Sequence, residues 1–262
     1  MDQSLEKYAK LFDLSGRTAL VAGGAGGIGS AISEGLASRG CKVVLTSRTA
    51  AKAEKVASAI RAAGGDAHGR ALVVDRMEAL RQLVDGVLGD FGRIDILVNC
   101  IGSHIETPAE EYREEDWDAI FTGSLKSAFF LSQAVAKGQI GAGGGKHIHL
   151  TSVRSLLGIR RGYASYCASR GGMNMMIKQL ATEWAKHGIT VNGIAPTFTR
   201  TDLVAKYLND PGFYNPLVAR IPLGRVADPI DIAALAMYLA APASNFITGQ
   251  IIFADGGVTC CQ

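Results

Sequence analysis

The stretch Leu20-Val21-Ala22-Gly23-Gly24-Ala25-Gly26-Gly27-Ile28-Gly29 contains five glycines within seven positions. The apolar run from position 18 to 21 predicts a buried strand, and apolar residues resume at helical spacing from position 30. A glycine-rich turn between a strand and a helix is typical of a dinucleotide-binding loop, although a tight turn without a ligand gives the same pattern. The stretch therefore predicts a strand, a phosphate-binding loop and a helix.

Three glycines of this loop have separate expected roles. Gly23 lets the chain turn sharply away from the strand, because glycine tolerates backbone conformations that other residues rarely adopt. Gly27 leaves room for a pyrophosphate to approach the backbone, and Gly29 lets the helix pack closely on the strand. The free N–H groups and the positive end of the helix dipole then favour phosphate binding.

The composition indicates a globular protein with a large apolar core. Of the 262 residues, 48% are hydrophobic and 19% are charged, and the net charge of +3 is scattered without a basic run. We therefore expect no nucleic-acid partner. The N-terminal segment lacks the apolar core of a signal peptide. No apolar run reaches the roughly 18 residues of a membrane helix, so we expect no membrane partner.

Cysteine and histidine spacing predicts neither disulfides nor a metal site. The five cysteines follow no paired framework and no zinc-ligand spacing, which indicates reduced thiols in a cytoplasmic protein. His147 and His149 share one face of a predicted strand, but metal ligation needs a third partner that the sequence does not offer.

Short apolar strands alternate with helices along the whole chain. This alternation predicts an α/β fold in which one parallel sheet is covered by helices on both faces, within a single domain over residues 1–262. Long helices are predicted over 114–137 and 165–187, and the irregular segment 197–222 is the expected substrate lid. The seven predicted strands span residues 18–21, 42–46, 71–75, 94–99, 147–151, 190–195 and 250–254.

Nearly all of the chain resembles a classical short-chain dehydrogenase/reductase, which implies a doubly wound Rossmann fold. By this resemblance Asp75 contacts the adenine of the cofactor, and Pro196 and Thr201 meet the nicotinamide amide. Ser152 and Tyr166 match the catalytic serine and tyrosine. The positions that match the cofactor site are, in chain order, Gly23, Gly27, Ile28, Gly29, Asp75, Asn99, Gly102, Pro196 and Thr201.

Two catalytic positions depart from the family pattern. The family lysine is Arg170 here, and the family asparagine of the long fourth helix is Ser124. Tyr166 and Arg170 lie four residues apart on a helix and hence on the same face, so the guanidinium is expected to stabilise a phenolate and to contact the cofactor ribose. Arginine does not release a proton at ordinary pH. The two family residues of the proton relay, the lysine and the asparagine, are therefore both altered here.

The residues after the second strand indicate the cofactor. An NAD enzyme places a carboxylate about 20 residues past the glycines to bind the ribose 2′-hydroxyl. Ser47 and Arg48 occupy that place, and a hydroxyl next to a guanidinium suits a 2′-phosphate. We therefore expect NADP as the cofactor, with NAD as the alternative.

The expected activity is hydride transfer that interconverts a carbonyl and a secondary alcohol. Tyr166 is the expected acid and base, and Ser152 orients the substrate oxygen. His104 and Arg154 are candidate substrate contacts, and the chain also resembles the gluconate-dehydrogenase branch, which implies a sugar, sugar-acid or 3-oxoacyl substrate. A catalytically impaired nucleotide-binding subunit or an isomerase of the same fold remains the alternative. The resemblance also implies a homotetramer.

Overall fold

The computed structural model describes residues 3–74, 76–202 and 204–261. Within these residues seven parallel strands form one sheet in the order β3-β2-β1-β4-β5-β6-β7, which confirms the predicted doubly wound α/β fold. The strands are β1 Thr18–Ala22, β2 Lys42–Ser47, β3 Asp66–Ala71, β4 Ile96–Asn99, β5 Gly145–Leu150, β6 Ile189–Pro196 and β7 Ile251–Ala254.

Helices cover both faces of this sheet. None of the helices in the described ranges combines the length and the apolar character that spanning a bilayer requires. The helices are α1 Gln3–Ala9, α2 Gly27–Ala37, α3 Ala50–Ala62, α4 Met77–Phe91, α5 Glu114–Phe121, α6 Ser127–Ala142, α7 Ala164–Trp184, α8 Ala205–Leu208, α9 Pro211–Val218 and α10 Pro229–Ala240.

The order of the strands reverses at the centre of the sheet, and this reversal positions the site. Strand β1 is buried along its whole length and pairs with β2 on one side and β4 on the other. The chain leaves β1 and β4 at the same carboxyl edge but turns toward opposite faces. A crevice therefore opens beyond β1 and β4, where ligands of such sheets bind.

The prediction for the third strand was wrong by about five residues. The apolar run 71–75 predicted the strand, whereas β3 spans Asp66–Ala71. This strand lies at the edge of the sheet, where polar side chains such as His68 and Arg70 keep access to water, so hydrophobicity does not mark it. The predicted adenine contact, Asp75, lies outside the described residues.

The predicted continuous helix over 114–137 is interrupted. Helix α5 ends at Phe121, a wide π-helical turn spans Thr122–Lys126, and α6 continues from Ser127 to Ala142. The π turn contains Ser124, one of the two altered catalytic positions. Such wide turns are frequent at functional sites.

The segment 197–222 contains two short helices and packs around a small apolar cluster of its own. Leu208, Leu217, Ile221 and Val226 form the buried centre of this cluster. The guanidinium carbon of Arg161, in the loop after β5, lies 5.0 Å from the Tyr207 ring centroid. This cation–π contact joins the segment to the loop.

The two histidines of β5 are buried and bonded within the protein. The His147 Nε2 atom lies 2.8 Å from Gln139 Oε1, and the His149 Nε2 atom lies 3.2 Å from Ser132 Oγ. Burial lowers the pKa of His147 to about 3 and that of His149 to about 4. Both rings are therefore neutral near pH 7 and act as structural hydrogen-bonding groups.

These two histidines are expected to make the protein sensitive to acid. Their ordinary pKa of 6.5 applies in the unfolded chain, so below pH 6.5 the unfolded chain binds protons that the folded protein refuses. The free energy of unfolding should fall on the order of 2 kcal/mol per histidine between about pH 7 and pH 5. Urea denaturation at a series of pH values measures this free energy for the wild type and for His149→Gln.

The His149→Gln variant should lose the part of the pH dependence that comes from His149, on the order of 2 kcal/mol between about pH 7 and pH 5. His187→Gln, which changes a histidine that ends the 3-10 turn after α7, is the matched control and should keep the wild-type slope. Equal slopes in the wild type and in His149→Gln would contradict the assignment.

Candidate active site

The glycine loop has the backbone geometry that phosphate binding requires. Gly23 has a φ of 78°, and a Cβ atom at this position would lie 3.2 Å from the Cys100 carbonyl. A Cβ atom on Gly29 would collide with the Gly23 carbonyl oxygen. Helix α2 begins at Gly27, and its N-cap, Gly26, offers no capping side chain. The first N–H groups of α2 are therefore available to an anion, so the loop fits the pyrophosphate of a dinucleotide.

A threonine that the sequence analysis missed holds this loop in place. Thr46 is buried at the end of β2, where its Oγ1 atom accepts a hydrogen bond from the Gly23 N–H at 2.9 Å. Its carbonyl accepts a second bond from the Ala25 N–H at 3.2 Å. A polar residue inside the apolar run 43–46 was the available signal.

The segment after β6 reaches the glycine loop. Pro196 is buried at the end of β6, and Thr201 packs so closely on the loop that a Cβ atom at Gly27 would lie 2.5 Å from Thr201 Cγ2. The start of the segment therefore packs directly against the glycine loop.

The end of β4 forms another wall of the crevice. Asn99 is buried, and its Oδ1 atom accepts the Ile101 N–H at 3.1 Å while its Nδ2 atom lies 3.4 Å from His149 Nδ1. The Asn99 side chain therefore shapes the chain leaving β4. Burial raises the pKa of the Cys100 thiol to about 12, so this thiol stays protonated.

The predicted catalytic pair, Ser152 and Tyr166, lies beyond the end of β5 and at the start of α7. Ser152 follows β5 and is 7% exposed. Its Oγ atom accepts a hydrogen bond from the backbone N–H of Arg154 at 3.1 Å. Tyr166 is half-buried in the first turn of α7. The His104 ring lies edge-on to the Tyr166 ring with centroids 6.1 Å apart, which brings one of the two predicted substrate contacts to the tyrosine.

Arg170 is buried under the site. It is only 6% exposed, so it is not a surface arginine. The Nη1 atom donates a hydrogen bond to the Leu150 carbonyl at 2.8 Å, and the guanidinium carbon lies 5.1 Å from the Tyr166 ring centroid. Its Nη2 atom fills the space in which a Cβ atom of Gly102 would stand. A fixed cation therefore lies against the face of the tyrosine.

Ser124 lies at the other altered position. Its Oγ atom is buried in the π turn and has no hydrogen-bond partner among the described residues. No hydrogen bond joins it to Tyr166 or Arg170 within those residues. Its catalytic role stays a prediction.

The predicted determinants of cofactor choice lie at the carboxyl end of β2. Ser47 is its last residue and is half-buried, and Arg48 follows it with an exposed side chain. In the part of the chain that the structure describes, no carboxylate pairs with Arg48. Both side chains are therefore free to meet an anion at this edge.

Arg154, two residues after Ser152 in the chain, lines a cavity. Burial lowers the pKa of Arg154, and the nearby positive charge of Arg220 lowers it further. Arg154 contributes to the wall of this cavity together with residues of the segment 197–222. Burial also lowers the pKa of His104, so this ring stays neutral near pH 7.

Known proteins are similar to this chain in sequence and in structure. A family model described as "Enoyl-(Acyl carrier protein) reductase" matches residues 23–259. The chain is 36% identical to gluconate 5-dehydrogenase of Gluconobacter oxydans, over 96% of this chain and 98% of that protein. It is 38% identical to D-threitol dehydrogenase of Mycolicibacterium smegmatis, over 95% of each chain.

A solved structure of a relative is also similar to the structure of this chain. The gluconate 5-dehydrogenase of Burkholderia cenocepacia, in complex with NADP and tartrate, superposes with a TM-score of 0.92 at 35% identity. The match covers 97% of this chain and 100% of that chain.

The chain belongs to the classical short-chain dehydrogenase/reductase family. It is an NAD(P)-dependent oxidoreductase that interconverts a carbonyl and a secondary alcohol, and its relatives include the gluconate-dehydrogenase branch. These relatives do not favour the alternative of a catalytically impaired nucleotide-binding subunit.

Replacing Gly102 by Ala tests the position of the Arg170 guanidinium. A Cβ atom at Gly102 would collide with Nη2 and push the guanidinium away from Tyr166. We expect kcat for NADPH-dependent carbonyl reduction to fall on the order of 100-fold, because small displacements of active-site groups have effects of this size.

Two further variants interpret that result. Gly86→Ala adds a Cβ atom on α4 where no atom lies within 4 Å, and it should keep wild-type kcat. The double variant Gly102→Ala/Arg170→Lys should recover part of the loss, since lysine is less bulky. Wild-type activity in Gly102→Ala would contradict the assigned position of Arg170.

Proposed function

We propose that the protein is an NADP-preferring oxidoreductase in which Tyr166 transfers the proton and Ser152 orients the substrate oxygen. One observation supports this most strongly: the buried guanidinium of Arg170, at the position of the family lysine, lies 5.1 Å from the Tyr166 ring centroid. The departure from lysine thus keeps the positive charge next to the phenol.

The residues around the crevice fit a dinucleotide. In the proposal Gly23, Gly27, Ile28 and Gly29 hold its pyrophosphate. Asp75 contacts the adenine, and the remaining contacts come from Asn99, Gly102, Pro196, Thr201, Tyr166 and Arg170. Ser47 and Arg48 bind the 2′-phosphate. When bound, the nicotinamide supplies or accepts the hydride.

The side chains divide the proton chemistry as follows. The backbone N–H of Arg154 donates a hydrogen bond to Ser152 Oγ. The Ser152 hydroxyl proton therefore remains available to the substrate oxygen. Tyr166 gives its phenol proton to that oxygen during reduction and takes it back during oxidation. The Arg170 guanidinium stabilises the negative charge that forms on the phenol, because it is fixed, buried and permanently protonated.

Ser124 completes the proposed catalytic set as a relay position. Arg170 cannot release a proton, so the proton that replenishes Tyr166 must come by another group. The buried Ser124 Oγ atom, which has no partner among the described residues, supports a role in which it binds a relay water.

The proposed substrate is a sugar, a sugar acid or a 3-oxoacyl compound. His104 and Arg154 contact it, and the segment 197–222 is the lid. The names of the relatives favour polyhydroxylated substrates, and the tartrate complex favours a carboxylated one. The packing of Thr201 on Gly27 supports the lid assignment, because it joins the segment to the cofactor loop.

Assembly and location complete the proposal. The family resemblance supports a homotetramer. The free cysteines support a location in the cytoplasm. Phe129 and Met175 remain exposed on α6 and α7 and are available to a partner subunit. Leu131 and Met173, on the same two helices, lie in the core.

The replacement Tyr166→Phe tests the proposed chemistry. It removes the proton donor and leaves the ring, so kcat should fall on the order of 100-fold or more. Affinity for NADPH, measured by fluorescence titration, should change little. The assay is NADPH oxidation with a panel of ketoses, keto sugar acids and 3-oxoacyl esters. Equal rates for wild type and variant would contradict the role of Tyr166.

The replacement Arg48→Ala tests the cofactor preference. Loss of one charged contact to a 2′-phosphate should weaken NADPH binding about 10- to 100-fold and leave NADH binding nearly unchanged. Arg39→Ala, which removes an exposed arginine from the turn after α2, is the matched control. Parallel weakening of both cofactors would contradict a 2′-phosphate contact.

A further inference from the structure

A cavity of about 1100 Å³ lies between the loop after Ser152 and the segment 197–222. Its wall is apolar where Phe198 and Leu217 contribute and strongly basic elsewhere. No aspartate or glutamate belongs to this wall within the described residues. The four arginines of the wall are Arg154, Arg160, Arg161 and Arg220.

One of these arginines is already neutralised. Arg161 forms a two-pronged ion pair with Glu106, with Nε 2.6 Å from Oε1 and Nη2 2.7 Å from Oε2. Its guanidinium carbon also lies 5.0 Å from the Tyr207 ring centroid and 5.7 Å from the Phe213 ring centroid. Arg161 therefore serves as a structural joint between the loop and the segment, and its charge is used there.

Arg154 and Arg220 have no such counter-ion. Among the described residues no carboxylate oxygen lies within 4.0 Å of either guanidinium. Each donates only to a backbone carbonyl: Arg154 Nη1 to Gly158 at 2.8 Å, and Arg220 Nε to Pro216 at 3.4 Å. Two positive groups that share one cavity repel each other, and such a pair is stabilised by an anion that accepts from both.

The two arginines belong to different parts of the molecule. Arg154 lies in the loop that carries Ser152, and its backbone N–H donates a hydrogen bond to the Ser152 Oγ atom at 3.1 Å. Arg220 follows α9 in the segment 197–222. An anion held by both would therefore join the segment to the loop of the catalytic serine.

We infer that Arg154 and Arg220 form a subsite for the anionic end of the substrate, a carboxylate or a phosphate ester. This inference rests on the proposed function. It adds Arg220 to the proposed substrate contacts and links substrate binding to closure of the segment 197–222. Without an anion, repulsion between the guanidiniums opposes closure of the segment. The anion removes this repulsion and bridges the two elements, so closure accompanies binding of a charged substrate and not of a neutral one.

Three matched substrates test the subsite: a neutral ketohexose, the corresponding keto-hexonate and a ketohexose phosphate. We expect wild-type kcat/KM with NADPH to be higher for one of the two charged compounds, and the better one distinguishes carboxylate from phosphate. In Arg154→Gln and in Arg220→Gln the ratio of charged to neutral kcat/KM should fall about 10- to 100-fold, the range for charged hydrogen bonds.

The double variant separates a shared anion from two independent effects. Because both arginines are proposed to hold one anion, the double variant should lose less than the product of the two single losses. Arg39→Gln removes an exposed arginine outside the cavity and is the charge-matched control, which should keep the wild-type ratio. A ratio that is unchanged in the two single variants would overturn the subsite and leave the proposed oxidoreductase function intact.

A binding measurement distinguishes failure of the subsite from failure of the proposed function. With NADP bound, so that the glycine loop and Arg48 are already occupied, inorganic phosphate and tartrate, each titrated in the millimolar range, should raise the Tm of the wild-type protein by more than that of Arg220→Gln. If no carbonyl compound is reduced but this stabilisation is observed, the subsite stands and the proposed function fails. Equal Tm shifts in the wild type and in Arg220→Gln would overturn the subsite directly.

Discussion

The hydrogen bond from Arg170 Nη1 to the Leu150 carbonyl is the interaction on which the site depends. It fixes a permanent cation at the end of β5, beneath Gly102 and against the face of Tyr166. Lysine is the family residue there, and its ammonium is a compact point charge on a flexible stem. Arginine is larger and branched, so it binds a backbone carbonyl and still lies beside the phenol. In the proposed mechanism the positive charge beside the phenol is thereby kept, and the proton path runs through another group.

Much of this arrangement was predictable because its causes are local. Buried central strands are apolar runs, and the glycines after β1 are needed for a sharp turn and a close helix, so both are visible in the sequence. The positions of Ser152 and Tyr166 follow from a family pattern on the ends of β5 and α7. What those signals have in common is that each residue's neighbours along the chain determine its role.

Other features depend on contacts between distant parts of the chain, and sequence reasoning missed them. Edge strand β3 carries polar residues because solvent covers its free side, so the apolar run after it gave a misplaced prediction. Thr46 supports the glycine loop from a different strand, and the π turn at Ser124 has no periodicity signal of its own. Arg220 becomes a candidate only when the fold brings it to the same cavity as Arg154.

A crystal structure of the protein with bound NADP tests the central claim most directly. The account predicts that the Arg170 guanidinium keeps its bond to the Leu150 carbonyl, stays buried beneath Gly102, and lies beside the phenol and the ribose at once. A guanidinium turned away from Tyr166, or a phenol oxygen directed away from the nicotinamide, would contradict it.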